Sequence, residues 1–181
     1  GDPLTHFVEA TADAERLSID DIALPFIPVQ PIGYAAASRI LSRMKGRVVA
    51  DDGWRGGLPI DYRLTGGEEL EVRVHVEQDR RIRRSANVLA TIKGALIPDE
   101  FIVVGCHHDA WGFGAADPLA GTIVLLETAR VIAEQARAGN PPDRTIIFAA
   151  WGAEEFGIIG SSEWVEGNHV ALTESCVAYI N

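Results

Sequence analysis

Cysteine is nearly missing from this chain: Cys106 and Cys176 are the only two in 181 residues. Two thiols cannot build a disulfide framework, so a small cross-linked scaffold is excluded and the redox compartment goes unreported. No apolar run approaches the roughly 18 residues that a membrane-spanning helix needs, and no signal-peptide pattern opens the chain. Positive charge is scarce as well. Lys and Arg total 16 against 26 Asp and Glu, a net charge of −10 at pH 7, which disfavours binding nucleic acid by phosphate neutralisation. Internal repeats, low-complexity tracts and Asn-x-Ser/Thr acceptor sites are absent too. What is present is globular composition, with 47% hydrophobic and 23% charged residues. A chain of this length supplies one domain, or one domain and part of a second.

The texture changes near residue 85. Upstream, residues 1–28 set six carboxylates against Arg16 alone, and Pro25, Pro28 and Pro31 break up any long helix. A short helix is expected from Gly33 to Met44, with Ala36, Ile40 and Leu41 on its apolar face. Gly66-Gly67 reads as a turn. Beyond it, Leu70, Val72, Val74 and Val76 alternate with polar residues, which predicts a half-buried strand. Arg80–Arg84 is a basic run best read as a solvated strand end.

Downstream, strands are expected at 88–92, 101–104, 145–150 and 176–180. Helices are expected at about 120–138 and from 157 to about 166. Alternation of short apolar strands with helices is the pattern of an α/β sheet with covered faces. Functional sites in such sheets form beyond the carboxyl ends of the strands. Two of these strands discharge polar groups there. Phe101–Val104 runs into Gly105-Cys106-His107-His108-Asp109, and Thr145–Ala150 runs into Trp151-Gly152-Ala153-Glu154-Glu155. Between them lies Asp117-Pro118.

Imidazole combined with carboxylates suits zinc or another first-row divalent ion. In an extended segment His107 and Asp109 face one way, so Asp109 is placed to orient the imidazole, while His108 faces the other. Adjacent Glu154 and Glu155 face apart and need separate roles, one binding metal and one accepting a proton. Each feature also has a plain structural reading. The Glu pair suits a helix N-terminus, and Asp117-Pro118 suits a helix start with Asp capping and Pro in first position.

At these residues the chain resembles the zinc exopeptidases related to glutamate carboxypeptidase II and, more distantly, to the transferrin receptor. The matching stretches run in order over nearly the whole length. They begin with Gly1-Asp2-Pro3-Leu4-Thr5, Ile27-Pro28-Val29, Pro31-Ile32-Gly33-Tyr34 and Trp54-Arg55-Gly56. They continue through Asn87-Val88, Gly94, Gly105, His107, Asp109, Trp111, Phe113-Gly114, Asp117-Pro118 and Gly121. They close with Ala153-Glu154-Glu155-Phe156-Gly157, Gly160-Ser161, Glu163-Trp164 and Ala178-Tyr179-Ile180-Asn181.

The resemblance implies a metallo-exopeptidase of carboxypeptidase or aminopeptidase type, acting on small peptides through water activated by two zinc ions. It makes His107 a ligand of one zinc, Glu155 a ligand of the other and Asp117 the bridge. Glu154 is then the general base and acid, and Asp109 holds His107 in its metal-binding tautomer. It further implies a calcium site at Thr5, Glu163 and Glu166, although Val8 stands where the family has tyrosine. Cys106 occupies a family glycine position and is expected to be a small buried residue. Trp111 and Trp164 are expected to pack.

Residues 1–84 match the later part of a β-rich protease-associated domain, and residues 85–181 match the N-terminal part of the peptidase domain. An aspartate that the family places after Tyr-Ile-Asn, a later histidine, the substrate pocket and the helical dimerisation domain of the homodimeric relatives all lie outside these residues. The expectation is a segment of marginal stability, weakly active or inactive on its own. Relatives of this kind are extracellular or membrane-anchored ectodomains. A competing reading is a non-catalytic binding or scaffold protein like the transferrin receptor, against which retention of the His, Asp and Glu set argues.

Overall fold

A computed structural model describes residues 1–25 and 27–181. It divides into two compact units, one made of Gly1–Ile22 with Ile82–Asn181, the other of Ala23–Arg81. Residues 1–22 thus group with the C-terminal unit, whereas the sequence reading joined them to the residues that follow them.

In the Ala23–Arg81 unit, helix α1 spans Tyr34–Leu41, inside the expected range. Its end is met by the Ser42 N–H, which donates back to Ser38 and Ile40 carbonyls. Val48 and Arg63 form an isolated antiparallel bridge. The strand expected over 70–76 does not form: these residues carry no regular structure, and Val72 and Val74 are half exposed. Alternation marks a strand only where a neighbouring ladder takes up the backbone N–H and C=O groups, and no such ladder is present among the described residues.

The other unit holds a four-stranded sheet in the order β1-β3-β2-β4. Its strands are β1 (Val88–Ile92), β2 (Ile97–His107), β3 (Arg144–Trp151) and β4 (Cys176–Ile180). Strands β2, β3 and β4 run parallel, and β1 pairs antiparallel with β3. Two helices make the crossovers, α2 (Leu119–Arg137) and α3 (Ile159–Ser175). All four strands and both helices are those read from the sequence, with β2 starting earlier and α3 running nine residues past Glu166, from 167 to 175. Gly167-Asn168 looks like a stop in isolation, but Trp164 and Leu172 on either side of it both pack on the core, which holds the helix through.

That core is small. Val103 (1% exposed), Ala149 (0%) and Trp151 (3%) form its centre, with Phe101, Ile147, Trp164, Leu172 and Cys176 packed around them. The Trp151 and Trp164 rings lie 5.3 Å apart between centroids, and the Trp151 indole N–H donates to the Tyr179 hydroxyl at 3.1 Å. A cavity of about 630 Å³ lies among residues of α3, β2 and β4. Apolar side chains stay in contact with water on β1 (Val88, Leu89), β4 (Val177, Ile180) and α2 (Ile123, Val124, Leu126). Trp164 packs as expected. Trp111 does not: it is 71% exposed and leans on Phe156 with ring centroids 4.8 Å apart.

With so few buried groups, each carries much of the stability. Trp151→Ala is expected to cost about 3–5 kcal/mol, whereas Trp54→Ala, at a 75% exposed position, should stay within about 0.5 kcal/mol. Urea denaturation midpoints check this, and a loss at Trp151 as small as that at Trp54 would show that the tryptophan is not the core.

Candidate metal centre

The parallel register brings the carboxyl ends of β2 and β3 level, with His107 opposite Trp151. One more ladder bond follows, from the His108 N–H to the Trp151 carbonyl at 2.9 Å. The loops leaving both strands therefore rise side by side from the same edge.

Helix α2 is tied down over the end of β2. The Thr122 hydroxyl donates to the His107 carbonyl at 2.7 Å. Gly121 lies so close to β2 that a Cβ there would come within 2.6 Å of Cys106 Sγ. Cys106 is half buried, with its sulfur toward Pro118 and Thr122, and so belongs to this packing. The helix starts at Leu119 with Pro118 as its N-cap and no side-chain cap bond. The Asp117-Pro118 peptide is cis. With Pro118 in the N-cap position, Asp117 does not cap the helix. Its Oδ1 lies 2.8 Å from His107 Nε2.

His107 has its other nitrogen, Nδ1, 3.0 Å from the main-chain oxygen of Asp109 and 3.6 Å from the Asp109 carboxylate. That carbonyl takes the Nδ1 proton and so fixes the tautomer that leaves Nε2 toward Asp117. Both ring nitrogens thus face oxygens, one of the Asp109 carbonyl and one of the Asp117 carboxylate. The Asp109 carboxylate, expected to orient the imidazole, faces it at 3.6 Å and also holds the loop beyond β3. Its two oxygens accept the N–H groups of Glu154 at 2.9 Å and Glu155 at 3.3 Å. Burial pushes its acidity toward the neutral form, but those two amides, its own backbone and His107 together hold it below the usual carboxylate range.

The outcome is a cluster in which one ligand atom each from His107, Asp117 and Glu155 all lie within 4.8 Å of one another. His107 and Glu155 are half buried and Asp117 is exposed. The set fits zinc in chemistry, one imidazole and two carboxylates, and in spacing. Glu154 stands beside it, its carboxylate 3.8 Å from His107 Nδ1. Adjacent Glu154 and Glu155 thus take different positions, as their opposite facing suggested. His108 is turned away, its Nε2 2.9 Å from the Ala86 carbonyl.

Thr5, Glu163 and Glu166 lie apart from this cluster, where the N-terminal segment crosses α3. Glu163 is buried. Its carboxylate accepts the N–H of Asp2 and, at 2.7 Å, that of Ala10. Thr5 Oγ1 and Glu166 Oε2 are buried without a hydrogen-bond partner, a costly state for oxygens unless something else meets them.

Sequence reasoning gave no role to Asn87, whose side chain joins Gly152 to Gly160. A lone Asn before a strand carries no signal of that bridge, because both partners are distant in the chain.

Known proteins similar to this chain include peptidases and a receptor. The sequence profile described as Peptidase family M28 matches residues 87–181. The chain is 44% identical to aminopeptidase NAALADL1 of Rattus norvegicus, over 100% of this chain and 26% of that protein. It is 42% identical to a glutamate carboxypeptidase 2 homolog of Caenorhabditis briggsae, over 100% of this chain and 25% of the other. Against transferrin receptor protein 1 of Gallus gallus the identity is 34%, over 100% of this chain and 24% of the receptor. It spans about a quarter of the length of each. Among solved structures, a peptidase M28 precursor from Shewanella amazonensis is 32% identical, covering 51% of this chain and 21% of the other, with a TM-score of 0.47.

Calorimetric titration of the metal-stripped chain with zinc tests the cluster. Wild type is expected to bind, and Asp117→Ala to lose at least about tenfold in affinity through a missing ligand. Equal binding by both would show that zinc sits elsewhere.

Proposed function

This chain belongs to peptidase family M28, and we propose on that premise that it carries part of the active centre of a zinc-dependent exopeptidase acting on small peptides. The observation that carries the reading is the meeting of His107, Asp117 and Glu155 at one sheet edge with Glu154 beside them. His107 would hold one zinc, Glu155 a second, and Asp117 would bridge the two. Bound zinc supplies an activated water and polarisation of the scissile carbonyl. Glu154 takes the proton released in the attack and passes it to the leaving amine. Asp109 keeps both glutamates in place through their amides and holds the His107 tautomer through its carbonyl.

Within these residues each ion of such a pair has two protein ligands, where catalytic zinc ordinarily has three. Hydrolysis by these 181 residues alone is therefore expected to be weak. The substrate class remains that of the relatives' activities, carboxypeptidase or aminopeptidase, and the family's homodimers are its model for assembly. Residues 1–84 are read as the later part of a protease-associated domain, and the location as extracellular or on a membrane-anchored ectodomain. No helix among the described residues is long and apolar enough to cross a membrane.

The test separates metal binding from chemistry. Glu154→Gln should keep wild-type zinc affinity while lowering whatever peptide hydrolysis the loaded chain shows by about 10²–10⁴-fold. Hydrolysis that survives the change would remove Glu154 from the mechanism. A wild-type chain that binds no zinc would instead favour the scaffold reading, which the similarity to a transferrin receptor keeps in play.

Calcium is the second proposed ion. Thr5 and Glu166 would offer it their unpartnered buried oxygens, and Glu163 the free lone pairs of a carboxylate already holding two amides. Calcium is expected to raise the melting temperature of wild type and leave that of Glu166→Gln unchanged. A calcium-indifferent wild type would leave those oxygens orphaned and end this part of the proposal.

A further inference from the structure

The turn that carries Glu154 and Glu155 is closed at its base by a side chain to which the metal reading assigns nothing. Asn87 stands immediately before β1, and since Val88 pairs with Ala150 it lies beside the point where β3 ends. Its Oδ1 accepts the Gly152 N–H at 3.1 Å, and its Nδ2 donates to the Gly160 carbonyl at 2.7 Å. The Gly160 N–H donates in turn to the Gly152 carbonyl at 2.9 Å. These bonds pinch together the two ends of the turn 152–160. A Cβ on Gly160 would meet Asn87 Oδ1 and the Gly152 oxygen, both at 2.3 Å, so the approach leaves no room for a side chain.

Inside the pinch the backbone is held in an uncommon shape. Ala153 and Ile158 have φ of 54° and 57° and Gly157 has 117°, and residues with a Cβ keep such angles only where their surroundings over-determine them. Three constraints act on them here: the clamp at the base, the Asp109 carboxylate on the Glu154 and Glu155 amides, and the turn's own bonds from the Ile158 N–H to the Glu154 carbonyl at 2.7 Å and from the Ile159 N–H to the Ala153 carbonyl at 3.1 Å.

From this we infer that Asn87 is a positioning residue for the metal centre, its carboxamide locking the turn in the form that presents Glu155 to His107 and Asp117. The inference rests on the metal reading above. Asparagine suits the task because one planar group both accepts and donates. Aspartate has the same shape but would set a carboxylate oxygen against the Gly160 carbonyl. Alanine would strand the buried Gly152 N–H and leave the Gly160 carbonyl only its helical partner.

The test titrates zinc into the full chain as wild type, Asn87→Ala and Asn87→Asp. It adds the absorption spectrum of the cobalt(II)-loaded forms and amide hydrogen exchange of the metal-free forms. Both variants should bind zinc about 10–100-fold more weakly, show an altered cobalt spectrum, and exchange the Glu154 and Glu155 amides faster. Ile147→Val, a core change away from the turn, should lower the melting temperature and leave zinc affinity and spectrum unchanged, separating positioning from general stability. Folded Asn87 variants with wild-type affinity, spectrum and exchange would overturn the inference while leaving the metal centre standing. Should neither variant fold, wild-type exchange decides: slow Glu154 and Glu155 amides support the locked turn and fast ones overturn it. A wild-type chain that takes up no zinc overturns the metal reading first, and the positioning role with it.

Discussion

The parallel pairing of β2 with β3 is the constraint on which the rest of the site depends. A parallel ladder fixes where each strand stops relative to its neighbour, and here it stops His107 and Trp151 at the same height. The loops that follow have no choice but to leave the sheet together. One brings an imidazole and Asp109, the other two glutamates. A shift of one residue in that register would turn every side chain of β2 to the opposite face and carry His107 away from Asp117. The small core of Val103, Ala149 and Trp151 guards the register, since these residues fill the sheet face only in this alignment.

Around the register, hydrogen bonds from side chain to backbone do the finer positioning. The Asp109 carboxylate takes the amides of both glutamates, Thr122 anchors α2 to the end of β2, and Asn87 closes the turn beyond β3. None of the three is among the clustered ligand atoms. Each fixes a main chain, and the main chains then place His107, Asp117 and Glu155. This suits a site that must hold three polar groups close together at a partly open edge, where mutual repulsion of carboxylates would otherwise spread them.

The same unit shows how little burial supports this arrangement. Apolar residues on β1, β4 and α2 remain in water, and a cavity lies between α3 and the strands it covers. Within these residues, the fold rests on one thin layer of packing.

The sequence by itself determined the elements and the chemistry on offer. Short β-branched and apolar runs such as Phe101–Val104 and Thr145–Ala150 are strands in any covered sheet, because period and burial need no knowledge of the partner. The His, Asp and Glu at their ends were legible for the same reason, as was the separate placing of Glu154 and Glu155. Tertiary structure alone decided the rest. Leu70–Val76 has the alternation of a strand but no neighbour to pair with, and alternation cannot report a partner. Asp109 was read as the companion of His107 because they stand two positions apart; that its carboxylate also meets the amides of residues 45 and 46 positions away had no local signal. Asp117 had two readings, a helix cap from its neighbour Pro118 and a metal ligand from the family resemblance, and the fold sets it against an imidazole. Local pattern records what a residue is able to do. Which of several partners it meets is fixed by strand order and register, which bring together groups that are remote along the chain.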